Sequence, residues 1–245
     1  LTQTLNLASS LQNPHFSSNN LPYSQTLADF QSDCGREIFC ERVRKIKRYI
    51  RNGDTFQVNT AHNLTMNSDI PPSLLFSALR KINPAPYSSL LEFPKIDLIG
   101  VSPELLFQLE NGSIIAEPIA GTRPRGSNSS EDLALEAELI NSQKERAEHA
   151  MLVDLCRNDI GKVAEYGTVR IDEYCRVDRY SAVMHLVSTV KGTLQPTKNV
   201  LDIIRAMFPG GTITGAPKPR TMEIINEIED SYRGPYTGSV AIFGF

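Results

Sequence analysis

Hydrophobic positions follow helical spacing in the first part of the chain and then strand spacing. Residues 36–51 place apolar side chains three and four positions apart, which predicts a helix that ends at Asn52-Gly53. Residues 54–66 alternate instead, with Phe56 and Val58 on one face and Gln57 on the other. The alternation predicts a strand directly after the first helix.

The same reading extends to the end of the chain. It predicts a helix from Pro71-Pro72 to about Ile82, a hairpin turning at Asn111-Gly112 and one long helix from Ser129 or Ser130 to about Asn158. Further strands are expected at 87–93, 96–102, 167–177, 181–194 and 237–245, and further helices at 198–207 and 220–229. Strands in antiparallel runs with helices interspersed predict an α+β fold.

The composition of residues 1–34 differs from that of the rest of the chain. Residues 1–34 are rich in Ser, Asn and Gln and weak in periodicity, which predicts a polar linker or a loose N-terminal edge. Residues 35–245 are expected to form one catalytic domain. Because "GSVAIFGF" ends inside an alternating apolar pattern, we expect this domain to be cut before its last segment.

Charge and cysteine content narrow the class of protein. The formal net charge is −3, so no basic surplus predicts a nucleic-acid partner. No apolar run reaches the roughly 20 residues of a membrane helix, and the first residues do not resemble a signal peptide. The four cysteines have no CxxC spacing, which indicates neither zinc nor disulfides. We therefore expect a cytoplasmic protein.

Acidic residues gather on the predicted long helix. Four side chains fall on one helical face: Glu138, Asn141, Glu145 and Glu148. Oxygen ligands in this arrangement suit a hard cation such as Mg²⁺, although a solvated acidic face has the same pattern. Asp154 lies in an apolar stretch of the same helix, where we expect a buried structural carboxylate held by Arg157.

Other candidate residues lie at the ends of predicted strands. Glu104 follows a strand in "GVSPELLF" and would serve as a general acid if burial raised its pKa, or would only form a Ser-Pro-Glu turn. His185 lies among apolar residues, as a core histidine or a functional one. Arg123 and Arg125 could grip carboxylates bidentately or form surface charge.

The segment "PGGTITGAPKPR", residues 209–220, is unusually rich in glycine for a helix start. Backbone N–H groups that converge before a helix attract anions. The spacing fits neither the Walker nor the dinucleotide pattern. The residues leave open a cradle for a carboxylate or a plain helix-entry turn.

Seven segments, taken together, resemble the chorismate-utilising enzymes. In order they are "YIRNGDTFQVN", "LIGVSPELL", "EPIAGTRPRG", "ERAEHAMLVDLCRNDIG", "VMHLVSTVKG", "FPGGTITGAPKPRTMEIINEIE" and "RGPYTGSVA". This family includes component I of anthranilate synthase and of aminodeoxychorismate synthase, and the isochorismate and salicylate synthases. The resemblance covers residues 36–245 and implies a β-sandwich of mostly antiparallel sheets flanked by helices, with Mg²⁺-dependent chemistry on chorismate.

The resemblance also implies roles for individual residues. Glu104 matches the general acid that protonates the departing 4-hydroxyl of chorismate. Glu148 matches a Mg²⁺ ligand, with Glu145 one turn earlier as its companion. His185 matches the histidine near the substrate ring.

Further residues are expected to bind substrate. Gly211 and Thr212 would hold a carboxylate of chorismate, and Tyr236 would line the same pocket. The family continues with an arginine that grips chorismate and with more glutamates for Mg²⁺. These lie beyond the last residue of this chain, so we expect the active site within it to be incomplete.

Gln57 and Ala120 bear on the choice within the family. Isochorismate and salicylate synthases resemble this family but have a lysine at the position of Gln57 to activate water, so Gln57 implies ammonia as nucleophile, delivered by a glutamine amidotransferase partner. Ala120 replaces a lysine of some aminodeoxychorismate synthases and favours anthranilate synthase. "QVN", "GGTITGAPK" and "GPYTGS" resemble the aminodeoxychorismate branch, which makes p-aminobenzoate precursors for folate.

We therefore expect aminodeoxychorismate synthase component I, with anthranilate synthase component I as the alternative. An inactive homologue or fragment that only docks the amidotransferase is the second alternative.

Overall fold

The computed structural model describes residues 30–244 of the 245-residue chain. Most of the expected linker over residues 1–34 therefore lies outside the described residues. Its last part contains strand β1, Gln31–Ser32, which pairs with β3, Leu64–Thr65. Among the described helices, none is both long and apolar enough to cross a membrane.

Groups of strands are interspersed with helices in the described region. The helices are α1 Arg36–Asn52, α2 Pro72–Ile82, α3 Ser129–Asn141, α4 Gln143–Gly161, α5 Val200–Met207, α6 Gly211–Thr214 and α7 Lys218–Ile228. The other strands are β2 Gln57–Val58, β4 Tyr87–Phe93, β5 Ile96–Ser102, β6 Gln108–Glu110, β7 Ser113–Ala116, β8 Ile119–Pro124, β9 Arg170–Arg179, β10 Val183–Thr193 and β11 Gly215–Ala216.

Turn residues act where the sequence predicts. Helix α1 ends at Gly53, whose φ of 81° is left-handed and lets its N–H bond to the carbonyl of Ile50. Asn111 and Gly112 have φ values of 49° and 77° and join β6 to β7 as a tight hairpin. Both predictions are confirmed.

The largest sheet is antiparallel and five-stranded, with β10 as its long central strand. One half of β10 pairs with β7, where Val190 lies opposite Ala116. The other half pairs with β8, where His185 lies opposite Thr122, and β9 covers the second edge along the whole length. The predicted α+β fold is confirmed.

Helix α4 packs against this sheet and contributes the middle of the core. The main apolar cluster joins α4, α5, β7 and β10 through fully buried side chains that include Ile160, Ile114, Val190 and Ile203. Burying apolar area at about 25 cal/mol per Å² makes this cluster the main stabilising element of the fold. Glu145 and Glu148, the predicted Mg²⁺ ligands, lie on α4.

The predicted single helix over residues 129–158 is wrong. Ser142 has φ −66° and ψ 111°, which ends α3, and its hydroxyl accepts a hydrogen bond from the backbone N–H of Glu145 to cap α4. A serine side chain that bonds to the backbone competes with helix continuation. The cap of α3 is Asn128 rather than a serine. Glu138 and Glu145 consequently belong to different helices.

Two strand predictions also need correction. Only Gln57–Val58 and Leu64–Thr65 are strands within residues 54–66, and Phe56 is 74% exposed instead of sharing a buried face. Residues 237–244 form no strand and pair with none of the described strands. Alternation predicts a strand only when a neighbouring strand satisfies its backbone groups.

Candidate active site

Glu104 and Thr212, distant in sequence, meet in the structure. Glu104 follows β5, where its backbone N–H bonds to the Ser102 hydroxyl at 3.3 Å. The Thr212 hydroxyl on α6 donates to the Glu104 carboxyl, 3.0 Å from Oε1 and 2.8 Å from Oε2. Burial raises the pKa of Glu104 to about 7, against the opposing effect of the Thr212 hydrogen bond. This carboxyl therefore exchanges its proton near neutral pH.

A small cavity lies beside this pair. Its volume of about 40 Å³ is room for water rather than for a substrate ring. Its walls come from β7, α4, α5 and the segment around α6, and include Glu104, Leu152, Asp159, Gly211, Thr212 and Lys218. The apolar part of this wall explains why the Glu104 carboxyl holds its proton.

Asp159 and Lys218 form an ion pair in the same wall that the sequence analysis missed. The side chains are 4% and 9% exposed, and the ammonium group of Lys218 also donates to the carbonyl of Met207 at 2.6 Å. Lys162 adds a second contact to Asp159 at 2.8 Å. Asp159 and Lys218 lie in two of the segments that carry the family resemblance, but no spacing rule indicates that they meet.

Gln57 and Glu148 are brought together by the pairing of β2 with β11. Gln57 lies opposite Ala216, and its side-chain Nε2 donates to the Glu148 carboxylate at 3.2 Å. Its Oε1 atom is buried without a hydrogen-bond partner. Asn59 also donates to the carbonyl of Thr212 at 3.0 Å, so this segment touches both halves of the candidate site.

Glu145 is already partnered by a guanidinium group. Arg123 on β8 donates to Glu138 at 2.9 Å and to Glu145 at 3.4 Å. Glu148 and Glu145 both lie on α4 and offer hard oxygen donors, and Mg²⁺ binds through one or two carboxylates plus waters and substrate. The donor set therefore fits Mg²⁺, provided that Glu145 exchanges part of its contact with Arg123.

His185 lies on β10 and contacts the neighbouring strand β8. Its Nδ1 is 2.9 Å from the Thr122 hydroxyl and 3.3 Å from the carbonyl of Gly121, and its ring packs against Tyr180. Gly121, at φ 77°, passes so near Glu145 that an added Cβ would lie 3.3 Å from the Glu145 side chain. His185 and Glu145 therefore both lie near the backbone of Gly121.

Close packing explains two glycines of the 209–220 segment. A Cβ on Gly211 would lie 2.5 Å from the Leu155 side chain, and one on Gly215 would lie 1.9 Å from the carbonyl oxygen of Gln57. Gly215 also has a φ of 135°. These glycines bring α6 and β11 against α4 and β2, which places Thr212 beside Glu104. Carboxylate binding by Gly211 and Thr212 stays a prediction.

The remaining predicted substrate residues lie further from this centre. Ala120 is buried on β8 opposite Leu186. Tyr236 is 60% exposed and does not line the cavity beside Glu104. Its predicted role in the pocket stays a prediction.

His149, like Asp159 and Lys218, was not among the residues predicted from the sequence. It is fully buried on α4, its Nε2 lies 2.6 Å from the Ser188 hydroxyl, and its Nδ1 is buried without a hydrogen-bond partner. Burial lowers the pKa of His149 to about 4, so the ring is neutral at physiological pH. Its helical spacing to the buried Leu152 and Val153 was the available signal.

Two charged pairs resolve alternatives that the sequence left open. Arg125 binds Asp132 bidentately at 2.8 and 2.7 Å, so it grips a carboxylate of its own chain. The hydrogen bond from Arg125 lowers the pKa of Asp132 to about 2. Asp154 does pair with Arg157 at 2.8 Å, but its side chain is 69% exposed, so the prediction of a buried carboxylate is wrong. It faces solvent on the outer side of α4.

Comparison with known proteins shows the family of this chain. The family model described as chorismate binding enzyme matches residues 3–245. Anthranilate synthase component 1 3 of Haloarcula marismortui is 58% identical over 224 residues, which are 91% of this chain and 44% of that protein. Aminodeoxychorismate synthase component 1 of Bacillus subtilis is 49% identical over 221 residues, 90% of this chain and 47% of that protein.

A solved structure shows the same fold. Anthranilate synthase component I from Streptococcus pneumoniae superposes with a TM-score of 0.76 at 36% identity, covering 94% of this chain and 51% of that one. The chain belongs to the chorismate-binding enzyme family. It spans about half the length of the relatives that it matches. The higher identity to anthranilate synthases favours the alternative over the expected aminodeoxychorismate synthase.

Proposed function

We propose that this chain supplies catalytic residues of an anthranilate synthase component I, which aminates chorismate at C2 and eliminates the enolpyruvyl side chain. The observation that carries the chemistry is Glu104, a carboxyl whose pKa burial raises to about 7 and whose orientation a hydrogen bond from Thr212 maintains. A group that holds its proton near neutral pH is suited to general acid catalysis.

Glu104 supplies the proton that makes the 4-hydroxyl a leaving group. The hydroxyl takes this proton and departs from C4 as water, both ring double bonds shift, and the nitrogen of ammonia forms its bond to C2. The ammonium nitrogen then loses one proton, so the proton given by Glu104 is balanced. The hydrogen at C2 then leaves as a proton and the bond between C3 and the enolpyruvyl oxygen breaks, which makes the ring aromatic. The released enolpyruvate takes up a proton and leaves as pyruvate.

Gln57 supports ammonia rather than water as the nucleophile. Its amide has no basic group to deprotonate water, and its Nε2 points to Glu148. Because the chain offers no cysteine in a nucleophile context, the ammonia is proposed to come from a glutamine amidotransferase partner. The partner belongs to the proposal for the whole protein.

Glu148, with Glu145 as its companion, is proposed to hold Mg²⁺. Bound there, the ion would neutralise a carboxylate of chorismate. Gln57 keeps the Glu148 carboxylate oriented, and Arg123 limits the negative charge that Glu145 adds. His185 lies beside the same glycine as Glu145 and is proposed to face the substrate ring.

Ala120 and the relatives support C2 over C4. The methyl group of Ala120 cannot attack C2, so a lysine-dependent route to amination at C4 lacks its nucleophile. The 58% identity to an anthranilate synthase component of Haloarcula marismortui points the same way.

The test uses the protein expressed with all of the sequence that flanks this chain in its gene. It receives chorismate, Mg²⁺ and ammonium, and products are followed by fluorescence and chromatography. Anthranilate formed without a second enzyme is the expected result. Absence of any aromatic product, with or without an added lyase, would leave only a docking role for the amidotransferase.

Aminodeoxychorismate synthase component I, acting in folate synthesis, is the second candidate. It is supported by the 49% identity to the Bacillus subtilis protein and by the segments "GGTITGAPK" and "GPYTGS". In the same assay it would give no aromatic product until an aminodeoxychorismate lyase is added, and p-aminobenzoate afterwards.

A further inference from the structure

Three side chains of metal-ligating types gather outside the residues assigned to the proposed active site. Asp33, Cys34 and His62 each present a ligand atom, and all of these atoms lie within 4.8 Å of one another. Within residues 30–244, no other three such residues come this close. The cysteine spacing indicates no zinc site, because spacing alone cannot show a histidine that folding brings near a cysteine.

Backbone pairing holds the three residues in place. Strand β1 pairs with β3, Ser32 lying opposite Leu64, and the ladder continues through the N–H of Asp33 to the carbonyl of Asn63 at 3.0 Å. Asp33 and Cys34 therefore leave one strand where His62 approaches the other. The ring of Phe39 on α1 lies 5.6 Å from the His62 ring and supports it.

The cluster is closed on one side and open on the other. Cys34 is 5% exposed, whereas the side chains of Asp33 and His62 are 21% and 41% exposed. An ion could therefore enter from solvent and retain a water. A sulfur, a nitrogen and a carboxylate oxygen form a donor set that suits Zn²⁺ and does not suit Mg²⁺.

We propose that Asp33, Cys34 and His62 form a Zn²⁺ site that fastens strand β1 to strand β3, with water as the fourth ligand. Ligand atoms around tetrahedral zinc lie about 3.3–3.6 Å apart. The Nε2 of His62 is now 3.9 Å from Oδ1 of Asp33, and no two ligand atoms are more than 4.8 Å apart, so each pair closes by about 1.5 Å at most, which side-chain rotation supplies.

Zinc takes the place of an existing contact. The Ser32 hydroxyl lies 2.6 Å from Nε2 of His62 and would give up that atom to the metal. The same hydroxyl also accepts from the backbone N–H of Cys34 at 3.2 Å, so it keeps a partner. The Ser32 hydroxyl therefore keeps a hydrogen-bond partner when zinc takes its place on His62.

Charge at the bound site balances. A thiolate and a carboxylate carry two negative charges, which one Zn²⁺ neutralises while the Cys34 proton leaves to solvent. Burial and a hydrogen bond to Asp33 raise the pKa of the Cys34 thiol, against the opposing charge of Arg42, so the thiol proton leaves only when the metal binds.

The experiment measures zinc bound by the full chain after equilibrium dialysis in excess Mg²⁺, which occupies oxygen sites only. We expect one Zn²⁺ per chain, lost in Cys34→Ser and in His62→Gln. The matched control is Cys175→Ser, a free cysteine on β9. Zinc content unchanged in Cys34→Ser and His62→Gln, or no zinc in the unaltered protein, overturns the proposal.

A second readout covers the case in which Cys34→Ser does not fold. Zn²⁺ should slow alkylation of Cys34 in the unaltered protein by at least 10-fold, measured by mass spectrometry, while alkylation of Cys175 stays unchanged. Replacing zinc by Co²⁺ should give a thiolate charge-transfer band that His62→Gln weakens. Equal alkylation of Cys34 with and without Zn²⁺ contradicts the site.

Discussion

Glu104 and Glu148 are both carboxylates of the proposed active site, but their surroundings differ. Glu104 faces the apolar wall of a small cavity, and its partner is the neutral hydroxyl of Thr212. Glu148 lies on α4, as Glu145 does, and accepts a hydrogen bond from the amide of Gln57. Arg123 donates to Glu145. The only charged groups in the cavity wall beside Glu104, among the described residues, are Asp159 and Lys218, which pair with each other, whereas the surroundings of Glu148 are charged and polar.

The difference shows how one residue type takes two roles. A carboxyl in apolar surroundings keeps its proton, as the raised pKa of Glu104 indicates, and can give it to a leaving group. A carboxylate among hydrogen-bond donors and other charges keeps its negative charge and can hold a cation. The surroundings of the two carboxyl groups therefore support the two different roles proposed for them.

Replacing Glu104 by Gln should have the largest effect. The amide cannot donate the required proton, so we expect amination to fall by about 10² to 10⁴-fold while chorismate binding is kept. Steady-state rates and a direct binding measurement separate the two. Glu92→Gln, an exposed glutamate on β4, serves as control, and near-normal turnover of Glu104→Gln would refute the assignment.

Breaking the ion pair behind Glu104 should destabilise the fold. Lys218→Met leaves the buried Asp159 with Lys162 alone, and removing one partner of a buried pair costs about 3–5 kcal/mol. Urea unfolding gives this difference. In the control Lys162→Met, whose side chain is 60% exposed, a loss of about 0–1 kcal/mol is expected. Equal losses of unfolding free energy in Lys218→Met and Lys162→Met would show that burial does not distinguish the two lysines.

Removing the amide that orients Glu148 should change only the dependence of the rate on Mg²⁺. Gln57→Leu is expected to raise the Mg²⁺ concentration needed for half-maximal rate by about 10-fold, because outer partners of metal ligands contribute at this level. The control is Gln108→Leu, where a glutamine bonds to Glu110 at the surface at 3.1 Å. A lower rate at saturating Mg²⁺ with unchanged Mg²⁺ dependence would contradict the role.

Removing the Thr212 hydroxyl should have the smallest effect, a shift in the pKa of Glu104. The folded pKa of Glu104, about 7, exceeds its ordinary 4.5, so the folded protein binds the extra proton between these values and loses the active acid as pH rises through about 7.

The Thr212 hydrogen bond stabilises the charged form, so Thr212→Val should move this midpoint upward by roughly one unit. The pH dependence of kcat/KM measures it, and Thr212→Ser should retain the original midpoint. A midpoint that moves downward would mean that the hydroxyl favours the protonated carboxyl.

Local signals were predictable where neighbouring residues decide the backbone. The Asn111-Gly112 hairpin and the end of α1 at Gly53 need only residues that accept positive φ, and both are present as expected. The break at Ser142 was missed because helical periodicity runs through it. A side chain that caps the next helix interrupts the backbone without changing the hydrophobic pattern.

The amino-acid sequence by itself determined the α+β class, most of the element order and, through seven segments, the family. Only the tertiary structure decided that Thr212 bonds to Glu104, that Lys218 meets Asp159, and that His62 approaches Cys34. The physical reason is that turns and helix ends depend on residues a few positions apart. The pKa of a carboxyl or the donor set of a metal depends on atoms that only folding brings together.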